Sequence, residues 1–540
     1  MVLQEMLASR QIGVPLLSLL VLLPLVAAAV LAFVRDTRLA HALAVGTVVV
    51  ELLLSLVLLA VFVPGVADVQ LVERLDWMPS LGIHYQLGVD GLSVLFVPLT
   101  CVLFLVLMVM ARPPKTYPRL FMAMLLLLQS TTLGMYCALD LVLFFCFFEA
   151  ALLPSYWLIR LWGVGPERQA AAAKYVVYML LGSLPLLVGF ILLGMNHADV
   201  QGGAVSFDWV ALLATPVEPG LQGLVFLLMA LGFAVKGPAL PVHTWMPTVV
   251  MEGPVSMGAY LLGLKVGAYG LMRFAIPLAP EASQQWAWLA VGLGLVALLY
   301  GALIALVQTN LRRLVAFASI SHVGLIVAAL FAGNQAAWQG AVMLMLNAGL
   351  ATTGLLLVAG FLYQRFGTTE IAALGGLARK LPKLAFFCFV SGLALIGLPG
   401  TSGFVGELLA MSGVYERHWA YGAVAVLGVV LSAGYFLWFY QRAFFGPLKH
   451  PGAAQVRDLD RGEFGVAALL MLLMVEVGVA PKPLLDATAG SVAALTQRQA
   501  AVAQAMQNRT AAAPLTAPMA TAQAAAQAAP QGASEGVRQP

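Results

Sequence analysis

Seven ionisable side chains of this sequence stand inside long apolar runs. They are Glu51, Glu149, Lys236, His243, Lys265, His322 and Glu407. A charge at the centre of a bilayer costs roughly 2.5 to 3.5 kcal/mol on insertion scales, so such residues are expected to have a task. Buried carboxylates, histidines and desolvated lysines bind and release a proton reversibly, which an arginine does not. These residue types therefore predict proton transfer through a membrane.

Two of these residues stand beside breaks in apolar helices. Residues 231–245 read LGFAVKGPALPVHTW, where Pro238 and Pro241 remove backbone donors just after Lys236. Residues 395–410 read LIGLPGTSGFVGELLA, where Pro399 and nearby glycines interrupt the run that holds Glu407. Paired interrupted helices in two halves of a chain indicate an ion pathway, since the freed backbone groups can hold water and ions.

Each buried charge also has a plainer interpretation. The carboxylate of Glu149 can reach a lipid headgroup or cap a neighbouring helix. Lys236 and Lys265 can form simple buried ion pairs, although Lys265 lies about 11 residues from either end of its run, beyond comfortable snorkelling reach. We favour proton transfer for these three residues because bulky apolar neighbours surround them.

The histidines and the first glutamate are less informative. His322 and His243 can relay protons, because the unperturbed pKa of histidine is about 6.5, or they can pack as satisfied core residues. The sequence does not separate these two interpretations. Glu51 stands early in the chain and outside the repeated unit described below, which favours a structural or interface role.

Composition sets the class of protein. Of 540 residues, 61% are hydrophobic and 10% are charged, with a mean hydropathy of +0.94. Soluble domains average about 25% charged residues, so the composition predicts an all-α, polytopic membrane protein whose surface faces the lipid bilayer. The net charge of +4 is too small and too scattered to indicate nucleic acid as a partner.

A spanning helix needs about 20 apolar residues, and fourteen such runs follow one another. Their bounds are 13–34, 40–63, 87–111, 119–138, 140–162, 172–195, 221–249, 254–276, 286–307, 312–332, 338–362, 384–413, 419–446 and 463–486. We interpret spans four to eight (about 119–276) and nine to thirteen (about 286–446) as two inverted five-helix repeats, with helices 7 and 12 discontinuous. Residues 1–486 then form one transmembrane domain. The Ala/Gln/Pro-rich tail, 487–540, is expected to hold a short helix near 491–507 and to be disordered beyond it.

Fourteen spans place alternate loops on opposite sides, and the cationic residues divide unequally between them. One set of loops carries 18: Arg35, Arg38, Arg112, Lys115, Arg119, Arg160, Arg168, Lys174, Arg312, Arg313, Arg365, Arg379, Lys380, Lys383, Arg442, Lys449, Arg457 and Arg461. The other set, before the tail, carries five: Arg10, Arg74, Arg273, Arg417 and Lys482. The first set is predicted to be cytoplasmic and both termini periplasmic. An Ala-rich chain without a mitochondrial transit peptide fits a bacterial inner membrane.

The sequence offers no site for a redox cofactor. Cys101, Cys137, Cys146 and Cys388 stand in apolar runs without a CxxC pair or a histidine at ligand spacing, so we interpret them as core residues. There is no Walker A loop and no GxGxxG turn between a strand and a helix. Neither a cofactor nor a metal is expected in this chain.

Five segments carry a resemblance to a known family. They are FFEAALLPSYWLI, AVKGPALPVHTWMP, LKVGAYGLMRF, RRLVAFASISHVG and LPGTSGFVGE. In order and spacing they resemble the antiporter-like membrane subunits of respiratory complex I, the proton-translocating NADH:quinone oxidoreductase, and of related multisubunit cation/proton antiporters. The resemblance runs from GVDGLS at 88–93 to the fourteenth span. Glu407 at the twelfth-helix break resembles the M-type chain (subunit 4), because L-type chains usually have a lysine there.

The resemblance implies a proton pathway. Glu149 is similar to the fifth-helix glutamate that pairs with the seventh-helix lysine, here Lys236. Lys265 is similar to the central eighth-helix lysine, His322 to a connecting histidine, and Glu407 to the terminal carboxylate near the periplasmic exit. The resemblance also implies that NADH, FMN, iron–sulfur clusters and quinone bind to partner subunits, and that L-type and N-type chains are neighbours.

Two departures from the family pattern weaken this pathway. Many members read HTWLPDAH where residues 243–250 read HTWMPTVV, so an acid and a histidine are lost while His243 and Glu252 remain as accessory candidates. Many members also have a histidine after the asparagine of the eleventh helix, where this chain has Ala348. Water could bridge that gap, but the link between Lys265 and Glu407 is predicted to be weaker.

Three functions stay open at this point. The first is a proton-translocating subunit of a complex I. The second is a subunit of a cation/proton antiporter, or of a related membrane-bound hydrogenase or ion-coupled uptake complex. The third is a non-pumping spacer in the membrane arm, which Ala348 and Val250 favour. All three share the buried lysine and glutamate framework.

Overall fold

The computed structural model describes residues 3–110 and 114–512, and it is dominated by membrane-length helices. Twelve helices of this described part are long and apolar enough to cross a membrane, and two shorter apolar helices, Phe96–Met110 and Pro382–Leu395, lie in the third and twelfth predicted spans. The predicted count of fourteen spans therefore stays a prediction. The polytopic helical architecture is confirmed.

The N-terminal part departs from the all-α expectation. Its elements are β1 (Glu5–Leu7), α1 (Ala8–Gln11), α2 (Leu16–Phe33), α3 (Thr37–Val61), β2 (Val69–Met78), β3 (Ile83–Val89) and α4 (Phe96–Met110). The strands form a sheet in the order β1-β2-β3, parallel between β1 and β2 and antiparallel between β2 and β3. The third predicted span was wrong at its start, because residues 87–89 belong to β3 and the helix begins only at Phe96.

The first half of the helix bundle contains the predicted break in the seventh span and a break in the eighth span that was not predicted. Its helices are α5 (Pro118–Cys137), α6 (Leu141–Ala150), α7 (Leu152–Trp162), α8 (Arg168–Gln201), α9 (Trp209–Ala214), α10 (Pro219–Lys236), α11 (Trp245–Glu252), α12 (Val255–Gly263), α13 (Val266–Gly270) and α14 (Ile276–Leu278). The seventh span is discontinuous between α10 and α11, as predicted. The eighth span is also interrupted, between α12 and α13, and a π-helical turn at Leu271–Ala275 precedes α14.

The second half repeats the pattern of long helices and a break. Its helices are α15 (Pro280–Gln285), α16 (Ala287–Leu306), α17 (Leu311–Ala332), α18 (Gln335–Phe366), α19 (Pro382–Leu395), α20 (Ser402–Arg417) and α21 (Trp419–Phe444). The predicted discontinuity of the twelfth span is confirmed by the gap between α19 and α20. Helix α18 lies at the centre of the molecule, because its most apolar stretch of 18 residues is entirely buried. Helices α2 and α3 are peripheral, because less than half of the corresponding stretch is buried in each.

The C-terminal part is more helical than the sequence predicts. After α22 (Arg461–Val479), helix α23 runs from Lys482 to Ala512 rather than over the short segment near 491–507. It packs on the domain, because Ser491 accepts a hydrogen bond from the amide of Gly91 at 2.9 Å and Arg509 pairs with Glu281 at 3.1 Å. The disorder expected further along falls on 513–540, outside the described residues.

Two short backbone bridges support the inverted repeat. Leu141 donates its amide proton to Phe207 and Trp209 donates to Leu139, both at 2.9 Å. The same exchange recurs between residues 309–311 and 369–371, where the two bonds measure 3.0 and 2.8 Å. Five predicted spans separate the two bridges, so the inverted repeat predicts that they lie on opposite membrane faces. The repeat boundaries themselves stay a prediction.

Each bridge includes a helix cap. Asp140 caps α6 by accepting from the amides of Val142 and Leu143, and Asn310 caps α17 by accepting from the amide of Arg312. Asp140 also accepts from the amide of His84 in β3 at 3.0 Å. Burial raises the pKa of Asp140, and these amide hydrogen bonds oppose that rise.

Removing either cap is expected to destabilise the chain. Asp140→Ala and Asn310→Ala should each lower the free energy of unfolding by about 1 kcal/mol, because each removes a helix cap together with the other hydrogen bonds that the same side chain makes beside its bridge. The thermal midpoint of the detergent-solubilised protein measures this. Asp36→Ala is the matched control, because Asp36 caps α3 through Arg38 at an exposed site outside either bridge. An equal loss in the Asp36 variant would contradict a special role for the bridges.

Candidate functional site

The seventh-helix break places Lys236 at the end of α10. Its Nζ donates to the carbonyl of Phe148 at 2.8 Å and lies 3.7 Å from the centroid of the Phe148 ring. In the described chain this carbonyl, rather than the adjacent Glu149 carboxylate, receives the hydrogen bond of the ammonium. Glu149 follows Phe148 directly in α6, and the side chains of Glu149 and Lys236 are both partly buried. The predicted pair is therefore close but is not in direct contact.

Lys265 occupies the break in the eighth span. It immediately precedes α13, is 4% exposed, and its Nζ donates to Ser319 Oγ at 2.6 Å. The seventh and eighth spans meet beside it at two glycines. A Cβ on Gly267 would lie 2.3 Å from the backbone of Gly237, so only glycine permits this approach. Lys236 and Lys265 thus flank one backbone crossing.

His322 and Glu407 are brought together by α17 and α20. Nε2 of His322 lies 3.7 Å from Oε1 of Glu407, and both side chains are nearly inaccessible. Ser319, the partner of Lys265, precedes His322 by three residues on α17, so the two lie on one face of that helix. Helix α17 therefore connects Lys265 to Glu407. The weaker link predicted from Ala348 stays a prediction, and α17 offers an alternative route past that position.

The break in the twelfth span forms the other wall around Glu407. Gly397 has φ of +65°, and a Cβ on it would lie 2.0 Å from Oε2 of Glu407. Asn347 crosses the break, since its Nδ2 donates to the carbonyl of Ala394 at 3.1 Å and its Oδ1 accepts from Ser402 at 2.7 Å. The carboxylate therefore lies between a histidine and an exposed turn of backbone.

The two accessory candidates differ in position. His243 follows the seventh-helix break, and its Nε2 lies 3.4 Å from the hydroxyl of Tyr300 on α16. Its Nδ1 is buried. Glu252 ends α11 and accepts from the amide of Glu167 at 2.8 Å in the loop before α8. Glu252 is therefore not grouped with the other candidates.

Several polar partners were not predicted from the sequence. Ser319 could have been found from SISH, since a serine three residues before a histidine shares its helix face. The buried pair of Arg273 and Asp90 was also missed, although both residues lie in the segments that carry the resemblance. Arg273 had been counted as a loop cation, but it is 1% exposed, donates to Asp90 and stacks 3.7 Å over the Trp209 ring.

The cysteines and the remaining acids form no additional centre. Within residues 3–110 and 114–512, no group of three or more His, Cys, Asp or Glu side chains is arranged to hold a metal ion. Cys101, Cys137 and Cys388 are buried, as expected for core residues. Cys146 lies exposed on α6, so its interpretation as a core residue was wrong. The chemistry that this arrangement supports is proton transfer between side chains.

Comparisons with known proteins identify the family of this chain. Residues 138–432 match the family described as NADH:quinone oxidoreductase/Mrp antiporter, TM. NADH-quinone oxidoreductase subunit M of Rhodobacter capsulatus is 38% identical over 89% of this chain and 96% of its own length. A chain of respiratory complex I from Thermus thermophilus with bound NADH superposes with a TM-score of 0.82 at 34% identity, over 89% of this chain and 99% of that one.

A more distant structure shares the fold. A chain of the Mrp complex from Dietzia sp. DQ12-45-1b superposes with a TM-score of 0.79 at 22% identity, over 90% of this chain and 98% of that one. The predicted resemblance is thus confirmed at the level of the family. The chain belongs to the transmembrane family that NADH:quinone oxidoreductase and the Mrp antiporter share.

Proposed function

We propose that this chain is a membrane-arm subunit of an NADH:quinone oxidoreductase and that it transfers protons across the membrane. The proposed carriers are Glu149, Lys236, Lys265, His322 and Glu407. One observation carries the proposal: α17 presents Ser319 to Lys265 and His322 to Glu407, within a single buried turn. Protons can then pass between fixed groups through water, with helix breaks supplying free backbone dipoles.

The proposed division of labour leaves redox chemistry to other subunits. NADH, FMN, iron–sulfur clusters and quinone would bind to partners, while this chain binds, holds and releases protons. Membrane-arm subunits of the same complex are the proposed partners, with L-type and N-type chains on either side. The charge distribution of the loops supports an orientation with both termini periplasmic in a bacterial inner membrane.

Two other functions are less well supported. A role as an antiporter subunit is supported only by the shared fold of the Mrp complex chain, which is 22% identical to this chain. The relatives from NADH:quinone oxidoreductases are 38% and 34% identical to it. A non-pumping spacer was suggested by Val250 and Ala348, which are buried apolar residues. The approach of His322 to Glu407 at 3.7 Å supports a route that does not need a side chain at position 348, and this argues against the spacer.

Proton transport by the assembled complex tests the proposal. Complexes carrying Glu149→Gln or Lys236→Ala are expected to reach normal abundance but to lose transport severalfold, because each variant removes a titratable group next to the seventh-helix break. A pH-sensitive dye in liposomes measures the initial rate. Glu416→Gln is the control, because Glu416 is exposed at the end of α20. Normal rates in both variants would favour the spacer, and a sodium-dependent gradient would favour the antiporter.

A further inference from the structure

Glu51 is a buried carboxyl that the proposed proton pathway does not use. It lies on α3, 14 residues after Thr37 and 10 before Val61, or roughly 21 and 15 Å from the helix ends at 1.5 Å per residue. The residue is 0% exposed, and neither Oε1 nor Oε2 has a hydrogen-bond partner in the described chain. A buried polar group without a partner is rare in native structures and requires an explanation.

A second unpartnered group lies in the same part of the helix pack. Gln129 on α5 is 0% exposed, and its Oε1 and Nε2 both lack hydrogen-bond partners in the described chain. Helix α4, which carries Cys101, packs against both α3 and α5, and α3 also packs against α5. Ser55, one turn after Glu51 on α3, donates its hydroxyl proton to the carbonyl of Leu52 at 2.7 Å.

No cation of the surrounding helices is near enough to neutralise an ionised Glu51. Helix α3 packs against α2, α4 and α5. Between Leu16 and Phe33, α2 has no ionisable side chain, and between Phe96 and Met110, α4 has only Cys101. The one cation of α5, Arg119, stands ten positions before Gln129, roughly 15 Å along the helix, and Tyr136 and Cys137 end α5 on the other side. On α3 itself, Arg38 and His41 lie in the first turns.

These surroundings determine the charge state of the carboxyl. An unpaired carboxylate in an apolar interior is so unfavourable that the group takes up a proton instead. Glu407 differs in this respect, because a histidine ring faces it. A protonated carboxyl has one donor and one acceptor, which are complementary to the carbonyl and the amino group of a glutamine side chain.

We propose that Glu51 and Gln129, with Cys101 beside them, form a second proton-binding site in which Glu51 keeps its proton at neutral pH. A bridging water molecule accepts from the carboxylic O–H and donates to Gln129 Oε1, and the carboxylic C=O faces the donor Nε2 of Gln129. The site is separate from the pathway between Lys236 and Glu407. Its proton has no titratable acceptor nearby, so it stays bound while the pathway turns over.

Infrared spectroscopy of the purified complex tests this site. A neutral carboxylic acid has a C=O stretching band that a carboxylate lacks. Glu51→Gln is expected to remove one such band at neutral pH, with normal assembly, because one neutral side chain replaces another of the same shape. Glu416→Gln, which alters an exposed carboxylate, should leave the acid bands unchanged. An unchanged acid region in the Glu51 variant would show that Glu51 is ionised and would overturn the proposal.

Two variants of Gln129 test the pairing. Gln129→Leu removes the hydrogen-bond partner and is expected to shift the Glu51 band, whereas an unshifted band would overturn the pairing with Gln129. Gln129→Lys supplies a cation and is expected to erase the band by ionising Glu51. The double variant Glu51→Gln/Gln129→Lys should then lose assembly, because its buried lysine has no counter-charge. Equal assembly of the Gln129→Lys variant and the double variant would show that Glu51 does not pair with a charge at position 129, and it would overturn the pairing.

Discussion

A Lys265→Met variant is expected to lose proton transport by roughly 10²-fold or more, the lower end of the range for a positioned acid–base group. Lys265 is almost inaccessible, and its ammonium has Ser319 as its hydrogen-bond partner. Methionine has a similar length and fits an apolar surrounding, so the helix pack should persist. The initial rate of dye quenching in liposomes, divided by the amount of assembled complex, measures the effect.

Two further variants separate the proton from the charge. Lys265→Arg keeps a positive charge that does not titrate, so transport is expected to be lost as in the methionine variant. Ser319→Ala keeps the lysine and removes only its hydrogen-bond partner, so it should reduce transport less than either change at Lys265. Full transport by the arginine variant would show that a fixed charge is sufficient, and the proton-carrier role would have to be abandoned.

Gly397→Ala is expected to reduce transport comparably, although it adds only one methyl group. The new Cβ would lie 2.0 Å from Oε2 of Glu407, so the carboxylate must move away from its position opposite His322. A displacement of about 1 Å can cost roughly 10²-fold where groups must be aligned for transfer. The same liposome assay gives the rate, and native gel electrophoresis gives the amount of complex.

The chain supplies a matched control for this substitution. Gly400 also has a positive φ, +86°, but a Cβ on it would meet nothing within 4 Å. Gly400→Ala therefore carries the left-handed backbone strain, about 1–2 kcal/mol, without touching Glu407. Its complex should assemble less well but pump normally per assembled complex. Equal pumping by the two alanine variants would mean that the position of the Glu407 carboxylate is unimportant.

The breaks in the seventh and twelfth spans could be predicted because they depend on local chemistry. Pro238 and Pro399 each remove a backbone donor and stand directly beside glycines, whereas the single prolines Pro24 and Pro185 lie inside continuous helices. The eighth break, beside Lys265, has no proline in LLGLKVGAYG. It depends instead on the approach of α10 to Gly267, which is a tertiary contact. Short-range sequence patterns do not contain that information.

The sheet and the last helix were missed for related reasons. Strand β3 runs directly into the apolar segment that holds α4, so the two merged into one predicted span. Helix α23 is rich in alanine and glutamine, which favour a helix but cannot bury a core alone. Its stability comes from docking onto the domain, as the contact of Ser491 with Gly91 shows.

The sequence predicted which residues belong to the candidate site better than it predicted which of them are in contact. The buried titratable residues could be identified from their apolar surroundings, but their order of contact could not. The sequence placed the weak point at Ala348, whereas packing of α17 against α20 brings His322 to Glu407. The direct contact of Glu149 with Lys236 stays a prediction, because Lys236 bonds to Phe148 in this conformation.

Helix α17 carries Ser319 and His322 only one turn apart, roughly 4.5 Å along the axis. Each faces a different titratable partner, one lysine and one carboxylate, from different halves of the molecule. A small rotation of α17 would open the contact of Ser319 with Lys265 and that of His322 with Glu407 at the same time. Proton uptake at one of these partners and proton release at the other would then be synchronised by the movement of one helix, without any signal passing through the solvent.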